Sequence, residues 1–281
     1  MAAVRSTIKS LLKEIWTEIR ADDVFGRAAQ LAYFFLLALF PFLICIIATL
    51  SVFGVADKGR AVLFRLFADV LPPVAYQLII TTFRAILRAG GPLKMSAGMV
   101  ASVWSASYGM SAIMDTLNAA YKVHETRSIV KQYFVAIALT IGMGLLIVIS
   151  TLCAVIGTGI VRRLALPHAI WLAWTFAKWP VAVGLLLLAF AITYYFAPDL
   201  KQRNWHWISP GAIAGVLLLL FVLVGVRVYL HFAGNYTATY GSLSGVIVLM
   251  LCFWLGGIAV LSGGVLNGVV ERAKTKDHLQ P

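Results

Sequence analysis

The sequence predicts an all-α, polytopic membrane helical bundle: six transmembrane helices, an N-terminal interfacial helix, and an amphipathic segment between spans 1 and 2. Three features lead there. Of the 281 residues, 61% are hydrophobic and 12% charged, against roughly 45–50% and about 25% in soluble domains. The mean hydropathy is +0.91. Six apolar runs each reach the roughly 20 residues that a helix needs to cross a hydrocarbon core about 30 Å thick. Finally, 23 Lys plus Arg against 11 Asp plus Glu give a net charge of +12, and these cations are spread over the short loops between the runs. A soluble enzyme, a disordered chain and a disulfide-rich secreted domain are excluded by this composition. The scatter of the cations points to membrane lipids, with anionic headgroups as the partner, and away from nucleic acid.

Residues 1–27 read as an amphipathic helix. Val4, Ile8, Leu11, Leu12, Ile15 and Ile19 form one stripe, with Arg5, Lys9, Lys13, Glu14 and Glu18 on the rest of the surface. Such a helix suits the bilayer surface, with Trp16 at headgroup depth. The apolar run after it is too long for a signal peptide, so no processing is expected. The spans are expected at Ala28–Val55, Met95–Asn118, Tyr133–Ile160, Trp171–Ala197, Pro210–Phe232 and Ser242–Val270. Residues 56–94 are apolar only in patches and carry eight charges, too many for a span. Leu71-Pro72-Pro73 splits them into two amphipathic halves, expected on the membrane surface or folded back over the bundle. A re-entrant hairpin is the alternative, and it would need its backbone groups buried in protein.

With both termini cytoplasmic, the inner loops hold 13 Lys and Arg and the outer loops 9. That bias favours N- and C-termini inside. No repeat, linker or low-complexity stretch divides residues 1–281, so one membrane domain is expected: the 1–27 helix, a bundle over 28–270 and a polar tail over 271–281.

Candidate chemistry is sparse. His124, His168, His206, His231 and His278 lie apart, and Cys45, Cys153 and Cys252 sit singly in apolar runs. No HExxH, P-loop, GxSxG or carboxylate pair is present. No catalytic residue, metal site or cofactor is therefore expected, and the chain reads as no enzyme. Arg227, about 17 residues into the fifth span, lies roughly 25 Å along it. It is either a cation lining an anion or lipid-headgroup path or an anchor at the outer interface. Asp115 and Asn118 end the second span near the opposite face, so Asp115 cannot pair with Arg227; Lys122 and Arg127 are its expected partners. Small residues recur at helix-packing spacing: Gly98 and Gly109 in the second span, then the pairs Gly211/Gly215, Gly241/Gly245 and Gly264/Gly268. Close helix packing explains them, and the same faces leave a homo-oligomer open.

Particular strings then become informative. The first span reads AAQLAYFFLLALFPFL, the second ends WSASYGMSAIMDTLNAAYKVHETRS, and the last two are joined through NYTATYGSLSGVIVLMLCFWLGGIAVLSGGVLN. Over about Ala28 to Asn267 the chain resembles the YihY/BrkB family of bacterial inner-membrane proteins, formerly called ribonuclease BN. The resemblance implies six membrane helices with cytoplasmic termini. It carries the family signature onto Ala32, Tyr33, Pro41, Trp104, Ser105, Asp115, Asn118, Tyr121, Pro210, Gly211, Asn235, Tyr236, Tyr240, Gly241 and Gly245. The family often has a basic residue where this chain has Tyr108, a departure that puts a cationic role there in doubt. No biochemical activity is settled for the family, and the residues offer no support for phosphodiester cleavage.

The expected function is an inner-membrane transporter or flippase of a lipid or anionic envelope component. Its candidate polar residues are Asp115, Asn118, Arg227, Asn235, Tyr236 and Tyr240, with Gln30 and Asn267 also within or at the ends of spans. The alternative is a non-transporting scaffold or envelope-assembly factor, supported by the small-residue faces.

Overall fold

The computed structural model describes residues 13–52, 61, 64–65, 67–68, 71–89, 92–163, 168–200, 209–232 and 240–277, and within these the chain is helical with no strand. The helices are α1 (residues 13–21), α2 (Val24–Val52), α3 (Pro73–Ala89), α4 (Pro92–Ala120), α5 (Ile129–Arg163), α6 (His168–Phe196), α7 (Pro210–Phe232) and α8 (Ser244–Asp277). In its described part, 13–27, the helix expected over 1–27 is broken: α1 ends at residue 21 and residues 24–27 already belong to α2. Asp22 and Asp23 form a turn, with Asp23 at φ +48°. The Asp23 carboxylate accepts the Gly26 N–H at 3.3 Å and so caps the start of α2.

Four helices are long and apolar enough to cross a membrane over their described residues: Ile129–Leu146, Leu172–Phe196, Pro210–Leu230 and Ser244–Arg272. In α2 the described apolar stretch is shorter, Val24–Leu39. The 29-residue α4 has the length, but Lys94, Ser96, Ser102, Ser105, Ser107, Ser111, Asp115 and Asn118 dilute its hydropathy.

The helices run alternately up and down. The start of α2, end of α4, start of α5, end of α6, start of α7 and last turns of α8 gather at one end, as the hydrogen bonds described below require. The last helix, α8, lies at the centre and touches α2, α3, α4, α6 and α7. Of its span, 39% is buried, against 11% for α5, which is therefore the peripheral helix. The main core joins Leu31, Ile113, Met114, Leu117, Phe190, Leu261 and Val265.

Of residues 56–94, the longest continuous helix described is α3, and it folds back over the bundle. Pro72 and Pro73 lack the N–H that would continue a preceding helix, and Pro73 opens a new one at its first position. Ala75, Ile79 and Phe83, spaced four apart, are buried against Val248 and Leu249 of α8, while Gln77, Thr81 and Arg84 are exposed. Gly245 allows this approach: a Cβ there would lie 2.8 Å from Leu78 Cβ and 3.1 Å from the Val74 carbonyl.

The other glycines divide by role. Gly211 and Gly215 of α7 face Gly263, Asn267, Phe190 and Tyr194, and Gly264 and Gly268 of α8 face Leu117 and Ala120 of α4. Gly109 faces Phe35 of α2. Gly241 is the exception to the packing expectation. It has φ +52°, and among the described residues nothing lies within 4 Å of where its Cβ would be, so it serves the one-turn 3-10 helix Gly241–Leu243 before α8. Gly98 lies on α4, outside the residues whose surroundings are described. Gly263, which the pairwise spacing did not single out, packs as closely as the expected ones, against Gly211 and Tyr194, and Gly257 comes within tight contact of Ala28, whose Cβ would lie 3.2 Å from a Cβ there.

Candidate functional site

Among the described residues, the polar side chains with hydrogen-bond or ion-pair partners gather mostly at the end of the bundle where six helix termini meet. Helix α4 ends in a Schellman turn: Val123 N–H donates to Asn118 O and Lys122 N–H to Ala119 O, both at 2.9 Å, with Lys122 at φ +55°. The chain then passes through His124-Glu125-Thr126-Arg127 to Ser128, whose hydroxyl caps α5 by accepting the Lys131 N–H at 3.4 Å.

Arg127 organises this loop. Its guanidinium donates to both Glu125 carboxylate oxygens, Nε at 2.7 Å and Nη2 at 3.0 Å. Nη2 also donates to Ala197 O at 2.7 Å, and Nη1 to Phe196 O at 3.4 Å. A cation is thereby placed on the last carbonyls of α6, where the helix dipole favours it. Asp199 lies 3.5 Å from Nε and accepts from Thr126 N–H and Oγ1 at 2.8 and 2.5 Å. Only 4% of the Arg127 side chain is exposed.

Asn118 belongs to the same knot. Its amide nitrogen donates to Glu125 at 2.9 Å and its oxygen accepts the Asp199 N–H at 2.8 Å. With both ends of the amide engaged in joining α4 to the segment after α6, its observed work is positional. At α7, Ser209 Oγ accepts the Ala212 N–H at 3.1 Å. Asn267 accepts the Gly211 N–H at 3.0 Å and donates to Ser209 Oγ at 2.8 Å. Two orphan donors of the α7 N-terminus are satisfied this way.

A second group ties α1 to α4 and α8. Glu18 meets Lys122 Nζ and Arg272 Nη2, each at 2.9 Å, and Arg272 Nη1 also donates to Ala120 O at the end of α4. Beside it lies Asp22. One of its carboxylate oxygens is buried and accepts no hydrogen bond among the described residues. Burial, then the nearby Glu18 charge, raise its pKa, and Arg27, Arg272 and Lys122 oppose the shift. A raised carboxyl pKa means that the folded state favours the proton. That contribution is full below the unfolded carboxyl value, about 3.9, and is lost as pH rises through the raised folded value. Asp22→Asn is therefore expected to stabilise the protein at pH 7. The group is partly solvated, so screening keeps the gain under about 1 kcal/mol, a melting shift of about 1–3 °C. Melting curves in detergent should show variant and parent converging as pH falls to about 4.

Asp115 stands apart from both groups, five residues before the end of α4. Lys122 and Arg127, its expected partners, are engaged by Glu18 and Glu125, which lie closer to them in the fold. Asp115 instead accepts from Gln132 Nε2 of α5 at 3.4 Å. It forms the floor of a crevice between α2, α4 and α5 of about 270 Å3, lined by Gln30, Phe34, Tyr108, Ser111, Gln132 and Tyr133 among others. The rings cluster: Phe34 stacks on Tyr108 at 5.8 Å, and Tyr133 meets Tyr108 edge-on at 6.2 Å. Asp115 also borders a second hollow of about 470 Å3 toward Lys122, His124 and Glu125.

The remaining sequence candidates do not join this site. Arg227 is exposed on α7, 17 residues beyond Pro210 and so about 25 Å from the polar end. Tyr240 is exposed at the start of the turn before α8. Asn235 and Tyr236 lie outside the described residues. Glu125, Gln132 and Tyr133 are the site residues that sequence reasoning missed, and Arg127, expected beside Asp115, pairs with Glu125 instead. The acid and base two apart in the short loop HETRS were the available signal.

Comparison with known proteins decides the family. The sequence model of the family described as Virulence factor BrkB matches residues 15–281. The chain belongs to the BrkB family. It is 34% identical over 271 residues to the ribonuclease-like protein YfkH of Bacillus subtilis, covering 94% of this chain and 96% of that protein. A UPF0761 membrane protein of Xanthomonas oryzae is 28% identical over 93% of this chain, and one of Xanthomonas campestris shows the same identity and coverage. This BrkB chain spans 61% of the length of those two Xanthomonas proteins. No solved structure matches it. As a BrkB member with helices apolar enough to span a bilayer, it is a membrane protein.

Proposed function

We propose that this BrkB protein is a non-catalytic transporter or flippase of a lipid or anionic envelope component. It crosses the bacterial inner membrane six times with both termini in the cytoplasm. The observation that supports the reading is the crevice between α2, α4 and α5. A polar floor at Asp115 and Gln132 lies about 7.5 Å, five residues, from the end of α4, which is headgroup depth for a helix that ends at the interface. Beside the crevice, α5 presents Val130 and Phe134, 81% and 72% exposed, and α4 presents Trp104, 61% exposed. These are surfaces suited to acyl chains. A polar notch flanked by lipid-facing apolar side chains is what a headgroup needs in order to leave the leaflet.

The test is translocation of a fluorescent phospholipid in vesicles containing the purified chain. The parent is expected to move lipid several-fold faster than protein-free vesicles. Ser111→Trp, which fills the crevice from α4, is expected to return the rate to background. A parent rate equal to that of empty vesicles overturns the reading. That result would favour the scaffold alternative, which draws on the close α7–α8 seam at Gly211, Gly215 and Gly263.

A further inference from the structure

We infer that the crevice at Asp115 selects a phospholipid whose headgroup carries an ammonium. For its role in transport, the inference rests on the lipid half of the reading just given and narrows it away from anionic cargo; the headgroup chemistry it adds comes from the lining. Asp115 is the one acidic or basic side chain lining the crevice among the described residues; the others are Gln30, Gln132, Ser111, apolar groups and aromatic rings. An anionic headgroup entering there meets a carboxylate and is repelled. A neutral one gains only amide and hydroxyl contacts. An ammonium gains the carboxylate, the carbonyl oxygens of Gln30 and Gln132, and the negative faces of clustered rings. Together these make up the chemistry of an ammonium-binding aromatic site.

The carboxylate is available for this. Its Gln132 contact is long, at 3.4 Å. The charges that act on it from elsewhere are Arg27 of α2 and Glu125 of the loop, which are opposite in sign. Arg27 Nε donates to Asp22 O at 3.0 Å. The rings approach from two helices besides α4. Phe34 comes from α2 and Tyr133 from α5, both onto Tyr108. Size agrees as well: about 270 Å3, roughly nine waters at liquid density, leaves room for an ethanolamine or choline group. The occupant is a lipid rather than a soluble amine because the notch lies at headgroup depth beside Val130, Phe134 and Trp104, whose exposed apolar surfaces need acyl chains to cover them.

Native mass spectrometry of the full-length chain in detergent, titrated with phosphatidylethanolamine and with phosphatidylglycerol of the same acyl chains, tests this directly. The ethanolamine lipid is expected to bind about tenfold more tightly. Asp115→Asn changes an exposed side chain and keeps its shape, so it should fold normally and lose that preference. Tyr108→Leu should reduce it several-fold. Equal affinity for the two lipids, or a preference that survives in Asp115→Asn, overturns the inference. Displacement of the lipid by free ethanolamine at comparable concentration overturns the lipid assignment in favour of a soluble amine. Vesicle translocation separates this inference from the one beneath it. Selective binding without translocation sinks the transport reading and keeps the site. Translocation at equal rates for both lipids keeps transport and sinks the site.

Discussion

Replacing Arg127 with alanine is expected to cost about 3 kcal/mol of stability. The guanidinium is 4% exposed and satisfies several acceptors at once: both oxygens of Glu125, the carbonyls of Phe196 and Ala197, and the Asp199 carboxylate 3.5 Å away. Removing it leaves two largely buried acids facing each other and strips the cation from the C-terminus of α6. That loss, more than the pair's own attraction, sets the cost. Arg127→Lys keeps the charge but cannot make the two-pronged contact, so an intermediate loss is expected. Glu125→Ala combined with Arg127→Ala should cost less than the sum of the single changes, because each single change strands its partner. Thermal unfolding in detergent reads all of these. An Arg127→Ala melting curve within about 0.5 kcal/mol of the parent would show that the knot does not hold the loop.

The effect would reach the crevice as well as the fold. Gln132, which touches Asp115, and Tyr133, which closes the ring cluster, sit in the first turns of α5, directly after the loop that Arg127 anchors to α6. If that anchor fails, the start of α5 is free to move away from α4, and the notch at Asp115 widens. Stability and lipid selectivity are therefore expected to fall together in Arg127→Ala. In Asp115→Asn, which leaves the knot intact, selectivity alone should fall.

This division explains what could be read from residues alone. Long apolar runs with at most an isolated charge announce α5, α6, α7 and α8, because bilayer thickness imposes a length that hydropathy reports directly. The Pro-Pro break and the four-residue spacing of Ala75, Ile79 and Phe83 likewise show where α3 begins and which face it buries. Asp115 was visible as a charge near a span end, but its partner was not. Helix packing brings Gln132 to it from 17 positions away and takes Lys122 to Glu18 of α1, while Arg127 closes on Glu125 within its own loop. The Glu18–Arg272 bond joins residues 254 positions apart, beyond any local pattern. GxxxG spacing pointed correctly to Gly211 and Gly215. It also pointed to Gly241, where a positive φ, not a neighbour, accounts for the glycine.

Gly211 carries the other large effect. An alanine in a helix is ordinarily better than glycine by about 0.5–1 kcal/mol, so a measured loss at this position has to come from contact. A Cβ on Gly211 would run into the Gly263 carbonyl oxygen of α8 and lie 2.8 and 2.9 Å from Asn267 Cγ and Cβ. The first obstacle is backbone of the central helix, which cannot rotate aside. Moving Asn267 breaks its bonds to the Gly211 N–H and to Ser209 Oγ, which cap α7. Relief requires α7 to shift outward, and that opens the contacts of Gly263 with Gly215 and Tyr194. Gly211→Ala is expected to cost about 1–3 kcal/mol, and Gly211→Leu more. Gly142→Ala is the control: the space around Gly142 on peripheral α5 is open, so the same change there should be neutral or slightly stabilising. Cysteine crosslinking between α7 and α8 should weaken in Gly211→Leu and not in Gly142→Ala. If Gly211→Ala instead raises the melting temperature as Gly142→Ala does, the α7–α8 seam is not the close contact that these positions describe.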